Sequence, residues 1–242
     1  MSNGNPRRRG GFRKRREEPA PEWIPKTRLG RAVKAGEITS LDEILDRGLK
    51  ITEAEIVDAL LPGLEPIFIN IGQAKGKFGG GQRRHFKRTQ KKVREGSRNK
   101  YTFLAVVGNG NGYVGIGRGC SRESLMARQR SVINAKRNIF KIKRGCGDWE
   151  CGCRQPHSLP FQVEGKAGSV RVILKPAPRG TGTVIGDDAK KILKLAGIRD
   201  VWAKTFNHTR TRMNYAYAVI DALKKTVIVD MPDGYKKHGG VE

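Results

Sequence analysis

Long apolar runs are the first thing that this sequence lacks. No stretch of about 18 consecutive apolar residues occurs, so the sequence predicts no membrane-spanning helix. The first residues are basic but are not followed by the apolar segment of a signal peptide, and no lipidation motif is present. We therefore expect a cytoplasmic protein without a membrane partner.

Histidine is also scarce, with four residues in the chain. Three of them lie in other contexts: His85 in a basic run, His157 beside a cysteine cluster and His238 near the C-terminus. His208 remains as a candidate for acid–base chemistry, but no Ser, His and Asp set and no H-E-x-x-H motif accompanies it. The sequence therefore predicts an ordinary loop histidine, no catalytic residues and no enzyme.

Acidic residues are few relative to basic ones. The chain has 49 Lys and Arg against 23 Asp and Glu, a formal charge of +26 and a pI near 10.4. Such a field attracts polyanions, because each neutralised phosphate releases condensed counterions. Anionic membrane is the competing partner, but nothing in the sequence would anchor the chain there. We therefore expect nucleic acid to be the partner.

A glycine-rich stretch, FLAVVGNGNGYVGIGRG from Phe103, contains the G-x-G-x-x-G pattern of a dinucleotide-binding loop. That loop needs a helix that starts within the motif, but the residues after Gly112 alternate as in a strand. The Asn-Gly dipeptides at Asn109 and Asn111 supply the positive φ of tight hairpin turns. The pattern therefore favours a β-hairpin over a cofactor loop.

The chain divides into segments of different composition and is predicted to be α+β. The predicted segments are a basic disordered tail (1–25), a helical N-terminal extension with a basic Gly-rich linker (26–84), a domain of three strands and a helix (85–144), a Cys-rich linker (145–158), a β-α domain (159–230) and a tail (231–242). Capping boxes at Ser40 and Thr52 predict two short helices in the extension, and 66–71 is a candidate strand.

The helix of the first domain is predicted to begin near Ser121 and to bury one apolar stripe on a sheet. Leu125, Val132 and Ile139, beside Met126, Ile133 and Phe140, form this stripe. In the second domain we predict strands at 161–165, 169–175 and 201–206 and helices at 187–196 and up to 225. The loop from Pro178 to Thr183 could cradle a phosphate, but a structural turn or a protein or rRNA surface fits better, since two aspartates follow it.

The segment from Lys75 to Lys100 carries eleven Lys and Arg against one acidic residue, Glu95. A solvated face usually mixes charges of both signs, and this one does not, so RNA contact is the better interpretation. Within it, 87–94 is predicted to pair with the strand at Tyr101 across a loop at 95–98. The predicted RNA-binding residues are Arg83, Arg84, Lys87, Arg88, Lys91, Lys92, Arg94, Ser97, Arg98 and Lys100.

The linker between the domains carries the spacing C-x4-C-x-C-x3-H. Its potential metal ligands are Cys146, Cys151, Cys153 and His157. Tetrahedral zinc takes four nitrogen or sulfur ligands, and the glycines of the linker permit tight turns around them. The spacing is not that of a standard finger, so inert thiols or a disulfide remain as alternatives to zinc.

Four motifs in order resemble the universal small-subunit ribosomal protein S-five family. They are YTFLAVVGNGNG from Tyr101, VGIG from Val114, KPAPRGTG from Lys175 and LAGI from Leu195. The resemblance runs from about Lys87 to Lys225, and the helical extension and cysteine insertion are similar to the archaeal form of the family.

This resemblance implies a double-stranded-RNA-binding-like first domain and the β-α S-five C-terminal domain. It also implies a structural role in the small ribosomal subunit, with binding to rRNA near the mRNA entrance. Contact with the S-four protein would influence decoding accuracy, and the S-eight and S-two proteins would be neighbours. The S-four-facing residues would be Gly180, Thr181, Gly182 and Lys190, and the 95–98 loop would reach toward the decoding region. A free RNA-binding module, or a nucleotide-using or RNA-modifying enzyme, is the alternative.

Overall fold

A computed structural model of the chain describes residues 23–73 and 83–241. The predicted basic tail (1–25) lies almost entirely outside the described residues, and so does the glycine-rich part of the linker. Among the described helices, none is long and apolar enough to cross a bilayer. The chain has the predicted α+β architecture, with two mostly antiparallel sheets and seven helices in the described ranges.

Three short helices form the N-terminal extension: α1 (Arg28–Ala35), α2 (Leu41–Asp46) and α3 (Glu55–Leu60). Ser40 caps α2 as predicted, since its hydroxyl accepts from the Glu43 N–H at 3.4 Å, and it also donates to the Glu43 carboxylate at 2.9 Å. The box predicted at Thr52 does not form, because Ala54 caps α3 without a side-chain hydrogen bond.

Glu53, a member of that second predicted box, has a different role. Its carboxylate accepts from the backbone N–H groups of Lys26 and Thr27 and from the Trp23 indole. Thr27 caps α1, a helix that the sequence analysis missed, by accepting from the Gly30 N–H at 3.0 Å. Glu53 therefore ties the start of α1 to the segment before α3.

The first sheet contains the three predicted strands and two shorter ones at its edges. Its elements are β1 (Glu65–Phe68), β2 (Phe86–Val93), β3 (Gly96–Gly108), β4 (Tyr113–Ser121), helix α4 (Ser124–Arg137) and β5 (Ile139–Lys141). The strand order is β1-β3-β4-β5, and β2 pairs with the other half of β3. The opening motif is a hairpin as predicted: Gly108 pairs with Val114, and Gly110 and Gly112 have φ of +73° and +88°.

Glycines in β4 allow α4 to lie directly on the sheet. A Cβ at Gly115 or Gly117 would lie 2.2 or 2.1 Å from the backbone of Ala135, and one at Gly119 would lie 2.2 Å from the Ala127 oxygen. The face that α4 presents is equally small, since its buried residues are alanines and one serine. The glycines of the motif thus serve close packing of a helix on a strand rather than cofactor binding.

The apolar stripe predicted for α4 is wrong. Leu125, Met126 and Ile133 are 64%, 40% and 38% exposed. The helix ends at Arg137, so Ile139 and Phe140 belong to β5. The physical reason is the short distance between α4 and β4, which leaves room for Ala and Ser but not for large side chains.

The second domain is a four-stranded sheet with helices. Its elements are β6 (Val163–Ala167), β7 (Val170–Pro176), β8 (Thr183–Val184), α5 (Asp187–Ala196), β9 (Val201–Phe206), α6 (Arg212–Ile228) and α7 (Asp233–Gly239). The strand order is β6-β7-β9-β8, and β8 is parallel to β9. The segment predicted as a tail, 231–242, contains α7.

The β3–β4 turn packs against the C-terminal end of α5. Gly110 and Gly112 donate their N–H groups to the carbonyls of Leu195 and Ala196, at 2.9 and 3.2 Å. A Cβ at Gly197 would lie 2.0 Å from the Gly110 oxygen. One hydrophobic core spans both sheets as a result, and the two domains pack as one body.

Candidate RNA-binding surface and metal centre

The predicted RNA-binding residues lie on or beside one β-hairpin. β2 pairs antiparallel with β3 along its whole length, and Arg94 and Glu95 form the turn. This turn is shorter than the predicted loop, so Ser97 and Arg98 belong to β3. Because β4 pairs with β3 only from Tyr101 onward, the end of the hairpin is a two-stranded ribbon that extends past the sheet.

The ribbon carries a concentrated positive charge. Nine of the ten predicted residues are exposed and Arg83 is half-buried. Lys91 lies directly opposite Arg98, an arrangement of like charges that costs stability. Glu95, 3.8 Å from the Arg98 guanidinium, is too exposed to offset this charge. Such a surface suits an anionic partner, which would remove the repulsion.

A groove between the ribbon and the start of α4 adds two cations to this surface. Arg122 and Arg130 line the groove together with Lys91, Arg98 and Lys100, and with one acidic residue, Glu123. The sequence analysis missed both arginines, because neither lies in the basic run at 75–100. Only the position of the ribbon beside α4 identifies them.

The residues that resemble the S-four-facing stretch lie in the loop before β8 and on α5. Gly180 and Gly182 have φ of +94° and +72°, a conformation that favours glycine. Both donate their N–H groups to one carboxylate oxygen of Asp200, at 3.1 and 2.8 Å. Thr181 is half-buried between them, and Lys190 is exposed on α5.

The N–H groups of the turn glycines in both loops are already bound and are not available to a nucleotide phosphate. The N–H groups of Gly110 and Gly112 are bound to α5, and those of Gly180 and Gly182 are bound to the Asp200 carboxylate. The carboxylate occupies the place that a phosphate would take. His208 is exposed in the loop before α6. These arrangements give the nucleotide-using alternative no support.

The four predicted metal ligands form one cluster. The ligand atoms of Cys146, Cys151, Cys153 and His157 all lie within 4.8 Å of one another, and the thiols are free. Cys151 Sγ lies 3.7 Å from His157 Nε2. Cys120 is separate and contacts Thr102 in the first sheet. Three thiols and an imidazole in this arrangement could hold one metal ion.

The chain returns on itself to build the cluster. Gly145 and Ser158 exchange two backbone hydrogen bonds of 3.0 and 2.9 Å, which close the loop that carries the ligands. A Cβ at Gly147 would lie 2.0 Å from the Pro160 oxygen, so glycine is required there for close approach. Helix α7 covers this region, and the Tyr235 hydroxyl donates to the same Pro160 oxygen at 2.6 Å.

A buried carboxylate orients the imidazole. His157 Nδ1 lies 2.8 Å from Asp200 Oδ2, and both side chains are 7% exposed. This contact directs Nε2 toward the sulfur atoms, as in metal sites where a histidine donates its other N–H to a carboxylate. The sequence analysis missed Asp200, which lies 43 residues after His157 and belongs to no local motif.

The surroundings of the cluster separate the pKa values of its thiols. Burial raises the pKa of Cys146 to about 12, with contributions from the Cys151 and Cys153 thiols. The backbone N–H of Arg179 lowers the pKa of Cys151 to about 6, and the backbone of Cys153 acts in the same direction. Cys151 is therefore set up as a thiolate, the form of cysteine that ligates metals.

Two family profiles match the two domains. The profile for "Ribosomal protein S5, N-terminal domain" matches residues 85–143, and the profile for "Ribosomal protein S5, C-terminal domain" matches residues 165–231. The first match contains β2 to β5 with α4 but not β1, and the second runs from within β6 to just past the end of α6.

Relatives with the name "Small ribosomal subunit protein uS5" are similar over almost the whole chain. That of Nanoarchaeum equitans is 51% identical over 219 residues, which cover 90% of this chain and 94% of the relative. That of Picrophilus torridus is 50% identical over 208 residues, with 86% and 87% covered. That of Methanocaldococcus jannaschii is 46% identical over 220 residues, with 91% and 94% covered. The chain therefore belongs to the ribosomal protein S5 (uS5, S-five) family.

Proposed function

We propose that this protein is a structural constituent of the small ribosomal subunit that binds rRNA in the cytoplasm. The observation that carries the proposal is the two-stranded basic ribbon, which extends past its sheet and has no acidic residue other than Glu95. Its relatives bear the name of the same ribosomal protein. The family is structural rather than catalytic, and no catalytic group is assigned.

The ribbon would bind RNA through phosphates. Lysine and arginine position a protein on the backbone, and shape rather than base sequence selects the RNA helix. The groove with Arg122 and Arg130 would hold a second stretch of backbone beside the ribbon. Affinity should therefore fall steeply with salt, because each phosphate contact releases a counterion.

The second domain would contact the S-four protein through Gly180, Thr181, Gly182 and Lys190. The loop is suited to a protein contact, because its glycines have open space on the side where a Cβ would lie. Val184 and Trp202, exposed side chains on the paired strands β8 and β9, add an apolar surface next to it. This interface, near the mRNA entrance, would bias decoding accuracy, with the S-eight and S-two proteins as further neighbours.

Zinc fits the cysteine cluster. In a tetrahedral site with zinc–sulfur bonds of about 2.3 Å and zinc–nitrogen bonds of about 2.0 Å, neighbouring ligand atoms lie about 3.5–3.8 Å apart. The 3.7 Å between Cys151 Sγ and His157 Nε2 lies in this range, and the four ligand atoms, all within 4.8 Å of one another, would need to close by at most about 1 Å around the ion. The bound ion would be structural, because four protein ligands leave no open position for chemistry.

A high-salt sucrose gradient of native lysate, followed by mass spectrometry of each fraction, tests the ribosomal role. We expect one copy per small subunit. Recovery in ribosome-free fractions would instead support the free RNA-binding module.

Elemental analysis of the purified chain tests the metal site. We expect about one zinc per chain, lost in the Cys151→Ser, Cys153→Ser double variant. A Cys120→Ser variant, outside the cluster, is the matched control and should keep its zinc. A metal-free chain with the same melting temperature as the wild type would refute the zinc site.

A further inference from the structure

The loop before β8 is attached to the metal cluster through one carboxylate. Asp200 Oδ1 accepts the N–H groups of Gly180 and Gly182, and its Oδ2 binds His157 Nδ1. The carboxylate is buried, so each of its oxygens needs a partner. The imidazole that would ligate the metal and the two amides that shape the loop therefore share the same group.

Two further connections run between the same regions. The Cys151 sulfur accepts the backbone N–H of Arg179, the residue just before Gly180. The Ser158 hydroxyl donates to the Asp200 carbonyl at 2.6 Å and accepts the N–H of Ala177 at 3.2 Å. The N–H groups of 177, 179, 180 and 182 are thus all bound by the metal-ligand segment or by Asp200.

At both glycines the loop faces open space on the side where a Cβ would lie. A Cβ built at Gly180 or Gly182 meets no atom within 4 Å, and the left-handed φ at both positions needs to be held in place. A metal ion on Nε2 would fix the His157 ring with Nδ1–H toward Asp200. Without the ion, the Asp200 contact alone orients the ring, and Nε2 has no metal bond that would hold the imidazole and the carboxylate in place.

We propose that metal binding holds the loop at 178–182 in its partner-binding shape, with Asp200 as the positioning residue between the two. The inference rests on the proposed metal site. It assigns the ion a task beyond stabilising its own linker: the ion sets the shape of a surface on the neighbouring domain. Release of the metal should loosen this loop before it affects the first sheet.

Hydrogen exchange of the full chain with zinc and after removal of zinc by a chelator tests the proposal. We expect the amides of Arg179, Gly180 and Gly182 to exchange about tenfold faster or more without metal. The amides of Leu104 and Val106 in β3 should be unchanged. Unchanged exchange at the loop, or equally faster exchange in β3, would overturn the coupling.

An Asp200→Asn variant separates the coupling from the metal site. All four ligands remain, so zinc should still bind at saturating concentration, with affinity about 10–100-fold weaker. The loop amides should exchange faster even in the zinc-loaded variant, because the single amide oxygen of Asn cannot accept both from the zinc-oriented Nδ1–H and from the loop N–H groups. Asp221→Asn is the matched control. It replaces a carboxylate outside the loop that accepts the backbone N–H of Lys166, and its loop amides should exchange like those of the wild type.

The outcomes distinguish the two proposals. A wild-type chain without zinc by elemental analysis overturns the metal site and with it the coupling. A zinc-loaded Asp200→Asn variant whose loop exchanges as slowly as the wild type overturns the coupling alone. If the variant does not fold, the chelation experiment on the wild type still decides the question.

Discussion

Replacement of Gly117 by alanine tests whether α4 lies directly on β4. The added Cβ would lie 2.1 Å from the Ala135 nitrogen and 2.5 Å from both the Asn134 carbonyl carbon and the Ser131 oxygen. All three are backbone atoms, so no side-chain rotation relieves the overlap. Because carbon atoms in ordinary contact are about 3.5–4 Å from their neighbours, α4 would have to move away by more than about 1 Å.

The cost of this movement can be estimated. An overpacked core loses about 1–3 kcal/mol and occasionally more, and a helix displaced along its whole contact with the sheet belongs at the upper end. A loss of about 3 kcal/mol in a chain of this size lowers the melting temperature by roughly 6–12 °C. Thermal unfolding of the metal-loaded chain, followed by circular dichroism, measures this shift.

Two further variants make the test specific. Gly234→Ala adds a methyl group where no atom lies within 4 Å, and should melt within about 1–2 °C of the wild type. Ala135→Gly should not rescue Gly117→Ala, because the overlap involves the Ala135 nitrogen rather than its methyl group. A Gly117→Ala protein that melts with the wild type would show that α4 does not approach the sheet so closely.

Three other predictions concern the extension, the ribbon and the loop. Tyr113→Phe should cost about 1–2 kcal/mol, because the Tyr113 hydroxyl donates to the Asp42 carboxylate at 2.6 Å; a urea titration measures this. Partial burial acts to raise the pKa of Asp42, but hydrogen bonds from Lys141 and Tyr113 outweigh it and lower this pKa. The stabilisation is therefore present above about pH 4 and is lost as the pH falls. The difference in unfolding free energy between the wild type and Tyr113→Phe should narrow at low pH. Arg98→Ala should weaken binding to a double-stranded RNA and reduce the slope of log K against log salt by about 1 in a filter-binding series, and an unchanged slope would place Arg98 off the RNA. Arg98→Ala and Gly180→Arg should each alter misincorporation in a reporter more than subunit assembly, and unchanged misincorporation in both would contradict the role in decoding accuracy.

Local signals in the sequence were sufficient for much of the fold. The Asn-Gly dipeptides predicted the β3–β4 hairpin, and Gly197 predicted the end of α5, where it has a φ of +80°. The cysteine spacing predicted the cluster, because its four ligands lie within twelve residues of chain. In each case the residues that determine the structure are neighbours in sequence.

Features that depend on distant residues could not be predicted in this way. The face of α4 followed from the glycines of β4, which exclude the large side chains that periodicity favoured. Asp200 gave no signal, since a lone aspartate after a glycine-ended helix is ordinary until His157 lies next to it. Arg122 and Arg130 joined the basic surface only through the position of the ribbon.

Helix α7, which covers the cysteine linker, is made last, and this affects the order in which the metal site is completed during synthesis. Cys146 donates its N–H to the Gly239 carbonyl of α7 at 2.7 Å, and the whole second domain lies between these two residues in the chain. Because a chain is made and folds from its N-terminal side, the four ligands exist together well before Asp200 and α7 do. A growing chain can thus capture its metal early, whereas the oriented imidazole, the shaped loop and the cover are all completed late.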